Sequence, residues 1–405
     1  MIYVIIYNVK YLTNLSLLMV IYIDLGGFMI NIVEVKTKKE LKKFIYFPLK
    51  LYKNSEYFTP PLFNDDYKDF TNKNPSLKNC KYKCFLAYKD NKLVGRLCAL
   101  INPPADEKFS TKRMRFRHFD VIDDIDVTKA LFRKAKEYAL ENNIEEIEGP
   151  NGFTDFDKEG MLYEGFEHKN IFITYYNYPY YNNHMIKIGM KKQVDWFEYR
   201  IKLPNKVYPQ LDRISQMVQK KGYHVVKFKS RKEIMPYVQK AFKVYNEAFA
   251  SLYGTVFLSE ELVNYYMGSF IPIINSDYIC VVEDKNNDVV GFAAVVPSLS
   301  NASRSCNGKL FPLGWINLLS ALNKNDTIDM LLIAVKPSLQ GLGINAILMN
   351  EVLKSCVKHG IKYAETGPEL EDNLNVQRQW KNYNHELIRK RRLYISKIGD
   401  LLLDE

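Results

Sequence analysis

Met330-Leu-Leu-Ile-Ala-Val-Lys-Pro-Ser-Leu-Gln-Gly-Leu-Gly-Ile-Asn-Ala-Ile-Leu-Met-Asn350 is the stretch that decides the fold. Its apolar start, Met330 to Val335, predicts a buried strand, and Pro337 ends regular sheet pairing. A turn containing Gly341 and Gly343 leads into a helix predicted over 345–359. Glycine lets backbone amides approach a ligand closely, and a helix N-terminus offers unpaired N–H groups and partial positive charge. This stretch therefore predicts a phosphate or pyrophosphate site between a strand and a helix.

The elements around this turn recur in the first half of the chain. Val94-Gly95 matches Val290-Gly291, Gly149-Pro150 matches Gly367-Pro368, and Tyr199 matches Tyr394, at offsets of 196, 218 and 195 residues. Predicted hairpins, helices and strands follow the same order in both copies. The sequence therefore predicts an α/β protein with a mixed sheet and two tandem halves, 29–203 and 204–405, that meet near Pro204.

Residues 1–28 stand outside this repeat. The segment lacks a basic leading region and a small-residue cleavage site, which argues against a signal peptide. Leu-Gly-Gly precedes Met29, and its codons can spell a purine-rich ribosome-binding sequence. We predict that translation starts at Met29 and that residues 1–28 are a non-native extension.

Composition narrows the class of protein. The 405 residues are 47% hydrophobic, which excludes a mainly disordered chain, and no uncharged apolar run reaches the ~18 residues of a membrane span. Six scattered cysteines and six histidines without ligand spacing predict reduced thiols, a cytoplasmic location and no metal. The net charge of +11 suits nucleic acid or an anionic cofactor. Because no nucleic-acid-binding motif appears, we favour the cofactor.

Val335-x-Pro337-x-x-Gln340-Gly-x-Gly343-Ile344 resembles the acyl-CoA-binding motif of the GNAT N-acetyltransferases, Q/R-x-x-G-x-G/A. Gly149-Pro-Asn-Gly-Phe153 and Glu159-Gly160 are similar to the N-terminal half of a bacterial group with two GNAT-like halves. The resemblance implies acetyl-CoA or another acyl-CoA as cosubstrate. Asn345 replaces the last Gly/Ala of the motif. The implied binding residues are Ile333, Ala334, Val335, Gln340, Gly341, Leu342, Gly343, Ile344, Asn345 and Asn373.

Candidates for proton transfer are fewer. Many GNAT enzymes use a tyrosine as general acid at the position of Trp380, and an indole cannot fill that role. Tyr383, one helical turn further on, is the candidate acid, and Glu365 in the predicted fifth strand is the candidate base. Their alternatives are a packing tyrosine and a glutamate in a hydrogen-bond network.

The N-terminal half is predicted to be degenerate. Its equivalent turn, Ile122 to Thr128, carries three aspartates, which would cap the helix and repel pyrophosphate. At an offset of 218 residues, Ile147 stands opposite Glu365. This half is therefore predicted not to bind CoA and to act as a structural partner. Its aromatic loop over 151–181 either faces the acceptor pocket or packs within the half.

The resemblance implies transfer of an acyl group to an amine of a small molecule or peptide by direct attack. Two alternatives remain open. One is an aminoacyl transferase resembling the peptidoglycan cross-bridge enzymes, and the other is a non-catalytic module that binds acyl-CoA or serves as a scaffold. The acceptor, the acyl length and the oligomeric state do not follow from the sequence.

Overall fold

The computed structural model describes residues 30–404, so the predicted extension over 1–28 lies outside the described residues. Strands and helices alternate along the chain as the sequence predicts. The strands are β1 Ile30–Glu34, β2 Lys81–Lys89, β3 Lys92–Ile101, β4 Arg113–Val121, β5 Glu146–Gly149, β6 Met161–Glu164, β7 Lys191–Lys202, β8 His224–Val226, β9 Ile279–Glu283, β10 Val289–Pro297, β11 Thr327–Val335, β12 Tyr363–Thr366, β13 Glu369–Leu370 and β14 Asn384–Lys397.

The helices of the first half are α1 Lys38–Leu51, α2 Phe63–Lys68, α3 Pro103–Phe109, α4 Ile125–Glu141 and α5 Tyr180–Lys187. Those of the second half are α6 Pro209–Gln219, α7 Arg231–Ala248, α8 Glu260–Phe270, α9 Ser300–Ser305, α10 Gly314–Asn323, α11 Ile344–Lys358 and α12 Leu374–Gln377. α9 and α10 lie in the segment between β10 and β11 of the second half. None of the helices in the part of the chain that the structure describes is long and apolar enough to span a membrane.

One mixed sheet runs through both halves, and its strand order is palindromic. The order is β1-β2-β3-β4-β5-β14-β7-β12-β11-β10-β9-β8, with β6 paired to β14 and β13 paired to β7. β4 with β5 and β11 with β12 are parallel, whereas the hairpins are antiparallel. Each position in the first half of this order has its counterpart in the second. The fold is thus two tandem α/β halves joined edge to edge.

The two halves exchange their closing strands. β7 ends the first half but pairs with β12 of the second, while β14 ends the second and pairs with β5 of the first. The two closing strands pair with each other along most of their length. The two residues skipped in this ladder, Gln193 and Ile388, stand 195 residues apart, which is the offset between Tyr199 and Tyr394. The ladder therefore has an internal two-fold symmetry.

The same registers correct one sequence alignment. Arg200 on β7 pairs with Glu365, and its counterpart 195 residues later, Ile395, pairs with Glu148. Glu148, and not Ile147, is therefore the structural equivalent of Glu365. The Gly-Pro matches misled the alignment, because the two halves differ by one residue between this strand and the glycine. The prediction that the first half lacks a carboxylate there was wrong.

Helices cover both faces of the second half of the sheet. Ala293 and Val295 of β10 pack with Ile347 and Leu348 of α11, whereas Phe292 packs with α7 on the opposite face. Such alternation follows from the two-residue period of a strand. A Cβ on Gly291 would come within 3.1 Å of the Ile344 side chain. The glycine of the repeated Val-Gly pair therefore lets the helix approach the sheet closely. Gly95 has the same role beneath α4.

Candidate acyl-CoA site

The glycine turn has the backbone that its sequence predicts. Gly341 and Gly343 adopt φ values of 80° and 91°, in the left-handed region where a side chain causes strain. Gly343 is the N-cap of α11, and no described side chain caps this helix end. A Cβ at Gly343 would lie 2.7 Å from Val218 of α6, so the turn is also closely packed. The backbone amide of Ala346 donates to the Gly343 carbonyl at 2.9 Å, and among residues 30–404 the amides that precede it at this helix end are left available for an anion.

The N-terminus of the matching helix in the first half, α4, is capped by an aspartate side chain, as the sequence predicts. The Asp124 side chain caps α4 by accepting a hydrogen bond from the backbone amide of Asp126 at 3.0 Å. Lys89 forms an ion pair with the same carboxylate at 2.6 Å. An anion at this helix end would have to displace a carboxylate already bound there, and that observation supports the prediction that only the second half binds CoA.

A cleft opens beside the turn where two parallel strands separate. The pairing of β11 with β12 ends at Met330 and Thr366, while β11 continues to Val335 along β10. Among residues 30–404, no strand therefore pairs with the β12 side of β11 over 331–335. Ile333 and Asn373 both line this cleft, together with Pro368 and Trp380. A free strand edge offers amides and carbonyls to an extended ligand, and pantetheine has amide groups that match them.

The other residues that are predicted to bind the acyl-CoA donor lie around the turn and differ in burial. Gln340 and Leu342 are exposed, and the Gln340 side-chain amide donates to the Val335 carbonyl at 3.2 Å. Ala334 and Ile344 are buried and pack in the core. Asn345 donates from its side chain to Gln379 at 3.0 Å. The structure thus brings the predicted set to one strand, turn and helix end, with Asn373 approaching from the opposite wall.

Glu365 lies in a network of ion pairs. Arg389 contacts one carboxylate oxygen at 2.8 Å, and Arg200 approaches the other at 3.5 Å. The cleft-lining residues do not include Glu365. Its candidate role as general base stays a prediction, and the contacts are those of its alternative, a glutamate held in a hydrogen-bond network.

Trp380 and Glu369 occupy the place of the expected tyrosine. Trp380 is 2% exposed and donates its indole N–H to Glu369 at 2.9 Å. Both side chains line the cleft. Burial raises the pKa of Glu369 to about 8, so this carboxyl keeps its proton at neutral pH. Tyr383 lies outside the cleft, with its ring between those of Tyr208 and Trp380.

Sequence reasoning missed three polar residues that the first half contributes. Asp155 and Glu159, from the loop between β5 and β6, line the cleft of the second half. Asp155 Oδ1, Glu159 Oε2 and Asn151 Nδ2 are buried and lack a hydrogen-bond partner among the described residues. In the sequence, Asn151 and Glu159 belong only to the segments that resemble the bacterial group with two GNAT-like halves. A single sequence does not show which half such a loop contacts.

The aromatic loop over 151–181 contacts both halves. Phe156 packs against Phe242, Tyr245 and Tyr266 of the second half. Tyr176 stays within its own half and packs against Tyr52. No cluster of three or more histidine, cysteine, aspartate or glutamate residues within 30–404 is arranged to hold a metal ion.

Comparisons with known proteins agree with this geometry. Residues 242–381 match the model of the acetyltransferase (GNAT) family. The chain is 26% identical to Protein YghO of Escherichia coli over 371 residues, covering 89% of this chain and 94% of that protein. It is 25% identical to a bacterial ceramide synthase of Caulobacter vibrioides over 297 residues, covering 72% and 76%.

A solved structure with the same architecture is a tandem GNAT protein from the clavulanic acid biosynthesis pathway. Its TM-score is 0.55 at 12% identity, and the match covers 92% of this chain and 99% of that one. At this identity the likeness concerns the fold alone. With the matched family model, the glycine turn and the palindromic sheet, it leads to one conclusion: residues 242–381 form a GNAT-family domain, and the chain as a whole has the fold of a tandem GNAT protein.

Proposed function

We propose that the chain is an acyl-CoA-dependent N-acyltransferase whose second half binds the donor at the Gln340–Asn345 turn. The observation that carries the proposal is the uncapped N-terminus of α11, which follows the strand β11 that lines the cleft from Met330 to Ile333. Pyrophosphate suits the free amides, and the pantetheine arm suits the free strand edge. This arrangement leads the thioester toward Leu331 and Leu332.

The reaction is a direct transfer. The amine nitrogen attacks the thioester carbonyl, a C–N bond forms, the C–S bond breaks, and the CoA thiolate takes up a proton. The relative named bacterial ceramide synthase supports an acyl donor in the broad sense and not acetyl alone, because a ceramide is a fatty amide. A cytoplasmic location belongs to the proposal, supported by six free cysteines.

Isothermal calorimetry tests the donor site. We expect acetyl-CoA or palmitoyl-CoA to bind the wild-type chain, and Leu342→Glu to weaken that binding at least tenfold. Leu342 is exposed, so its replacement places a negative charge at the turn without the backbone strain that a change at Gly343 would cause. Leu342→Gln is the matched neutral control.

Three results would count against the proposal. Absence of binding to both thioesters would exclude the donor site. Turnover with aminoacyl-tRNA and not with acyl-CoA would favour the aminoacyl transferase. Binding without thiol release across a broad amine panel would favour a non-catalytic module.

A further inference from the structure

An apolar chamber lies on the face of the sheet opposite α11. Its walls come from α7, α8 and strands β9 to β11, and its lining is almost entirely aliphatic and aromatic. Representative side chains are Val238, Phe242, Met267, Phe270, Phe292 and Val296. An apolar space of this kind favours a hydrocarbon ligand, because each buried methylene group contributes about 0.8 kcal/mol.

The chamber adjoins the donor cleft. Both spaces are lined by Leu331, Leu332, Ile173 and Pro368. Leu331 is the residue skipped in the pairing of β10 with β11, at the point where β11 leaves β12. A thioester that follows the free edge of β11 therefore arrives at the mouth of the chamber. A ligand in the chamber would meet the reacting carbonyl there.

The mouth is the acidic end of an otherwise apolar space. Asp155 and Glu159 line both the chamber and the cleft. Tyr245 donates its hydroxyl to one oxygen of Asp155, and the other oxygen is buried without a partner among residues 30–404. Glu159 Oε2 and Asn151 Nδ2 are also unpartnered, and both lie within 3.7 Å of the point where a Cβ on Gly254 would stand. Asn151 is fully buried.

The nearby cations are bound to other groups. Arg115 forms an ion pair with Glu148 at 3.4 Å, and Lys108 donates to the Thr255 hydroxyl at 2.6 Å. Arg391 pairs with Glu198 through Nε, and its Nη2 is buried without a hydrogen-bond partner among the described residues. No ion pair to Asp155 or Glu159 occurs in the described part of the chain. Two buried carboxyl groups without a cation are costly, and an ammonium group with three N–H donors would satisfy them.

We propose that the acceptor is a long-chain aliphatic amine, with its ammonium group between Asp155 and Glu159 and its hydrocarbon chain in the chamber. This inference rests on the proposed N-acyltransferase function and names its substrate class. One ammonium proton passes to a carboxylate, and the freed nitrogen lone pair forms the C–N bond. The C–S bond then breaks, and a second proton leaves with the CoA thiol.

The electrostatics of the mouth support this assignment. Burial raises the pKa of Asp155 to about 7, and burial together with the neighbouring Asp155 raises the pKa of Glu159 well above its usual range. Arg115 and Asp157 face both carboxyl groups, with Lys108 near Asp155 and Arg391 near Glu159. Since burial dominates both shifts, a bound ammonium would favour the charged carboxylates.

A chain-length series on the full-length enzyme tests the chamber. Release of CoA thiol is measured with acetyl-CoA and with palmitoyl-CoA, using butylamine, octylamine and dodecylamine below their micelle concentrations. We expect KM for the amine to fall at least 100-fold from butylamine to dodecylamine with either donor. Ala241→Phe, which fills the chamber wall, should abolish this dependence.

Binding measurements test the carboxyl groups separately. By calorimetry, Asp155→Asn and Glu159→Gln should weaken dodecylamine at least tenfold and leave uncharged dodecanol unchanged. Glu164→Gln, an exposed change on the neighbouring strand β6, is the matched control, and thermal unfolding verifies that each variant folds.

Two outcomes would overturn the inference while the proposed function stands. One is efficient thiol release with amines of any chain length. The other is a KM that depends on the acyl length of the donor and not on the amine, which would assign the chamber to the acyl chain. Failure of either thioester to bind would instead refute the proposed function itself.

Discussion

At the residue scale, Tyr383 and Glu369 are the two candidates for the general acid, and their surroundings distinguish them. The sequence points to Tyr383 because it is the nearest tyrosine to the expected position. In the structure Tyr383 packs against Tyr208 and Trp380, whereas Glu369 lines the cleft. With its pKa raised to about 8 by burial, Glu369 carries a proton that a leaving thiolate could take.

Glu369→Gln should therefore lower kcat at least tenfold with little change in KM for the donor. Wild-type kcat should be level below pH 8 and fall above it, because the raised pKa keeps the carboxyl protonated only up to about pH 8. The variant should lose that dependence. Steady-state rates across pH 6 to 9 measure both effects, with Tyr383→Phe as the comparison. A larger loss of kcat in Tyr383→Phe would restore the tyrosine as the acid.

At the element scale, the closing strands carry the ion pairs that hold the halves together. Arg389 and Arg391 of β14 both bind Glu198 of β7, and all three side chains are at most 1% exposed. Arg389 also forms an ion pair with Glu365, the predicted general base. One buried carboxylate thus balances two guanidinium groups at the centre of the sheet.

Glu198→Gln should destabilise the protein by about 3–5 kcal/mol, because it leaves the buried guanidinium group of Arg391 without its carboxylate partner and Arg389 with Glu365 alone. The free energy of unfolding in urea measures the effect. Glu386→Gln is the matched control, since Glu386 is exposed on β14. A difference below about 1 kcal/mol between the two variants would show that the ion pairs do not hold this ladder.

At the scale of the whole molecule, strand exchange makes the halves interdependent. Residues 204–405 alone would lack β7, so β12 would keep an unpaired buried edge. The intact chain should unfold in a single calorimetric transition. Residues 29–203 and 204–405 expressed separately should be insoluble or unfolded, and co-expression should yield a folded complex. A folded, soluble second half that binds CoA on its own would contradict this expectation.

The sequence by itself determined the features that depend on neighbouring residues. The strand, the glycine turn and the helix over 330–358 follow from apolar patterning and from the backbone freedom of Gly341 and Gly343. The hairpins and an aspartate-capped helix after β4 follow from local turn chemistry, and the duplication follows from repeated offsets. The turn and cap signals lie within a few residues of one another, and the duplication shows because the same local patterns recur at offsets of 195 to 218 residues.

Only the tertiary structure decided which distant residues meet. It placed Asp155 and Glu159 of the first half in the cleft of the second, joined Glu365 to Arg200, and set Glu148 in place of Ile147. These pairings arise because the closing strands cross between halves. A local pattern cannot encode that crossing, since register and strand order are settled by burial and pairing over separations of more than one hundred residues.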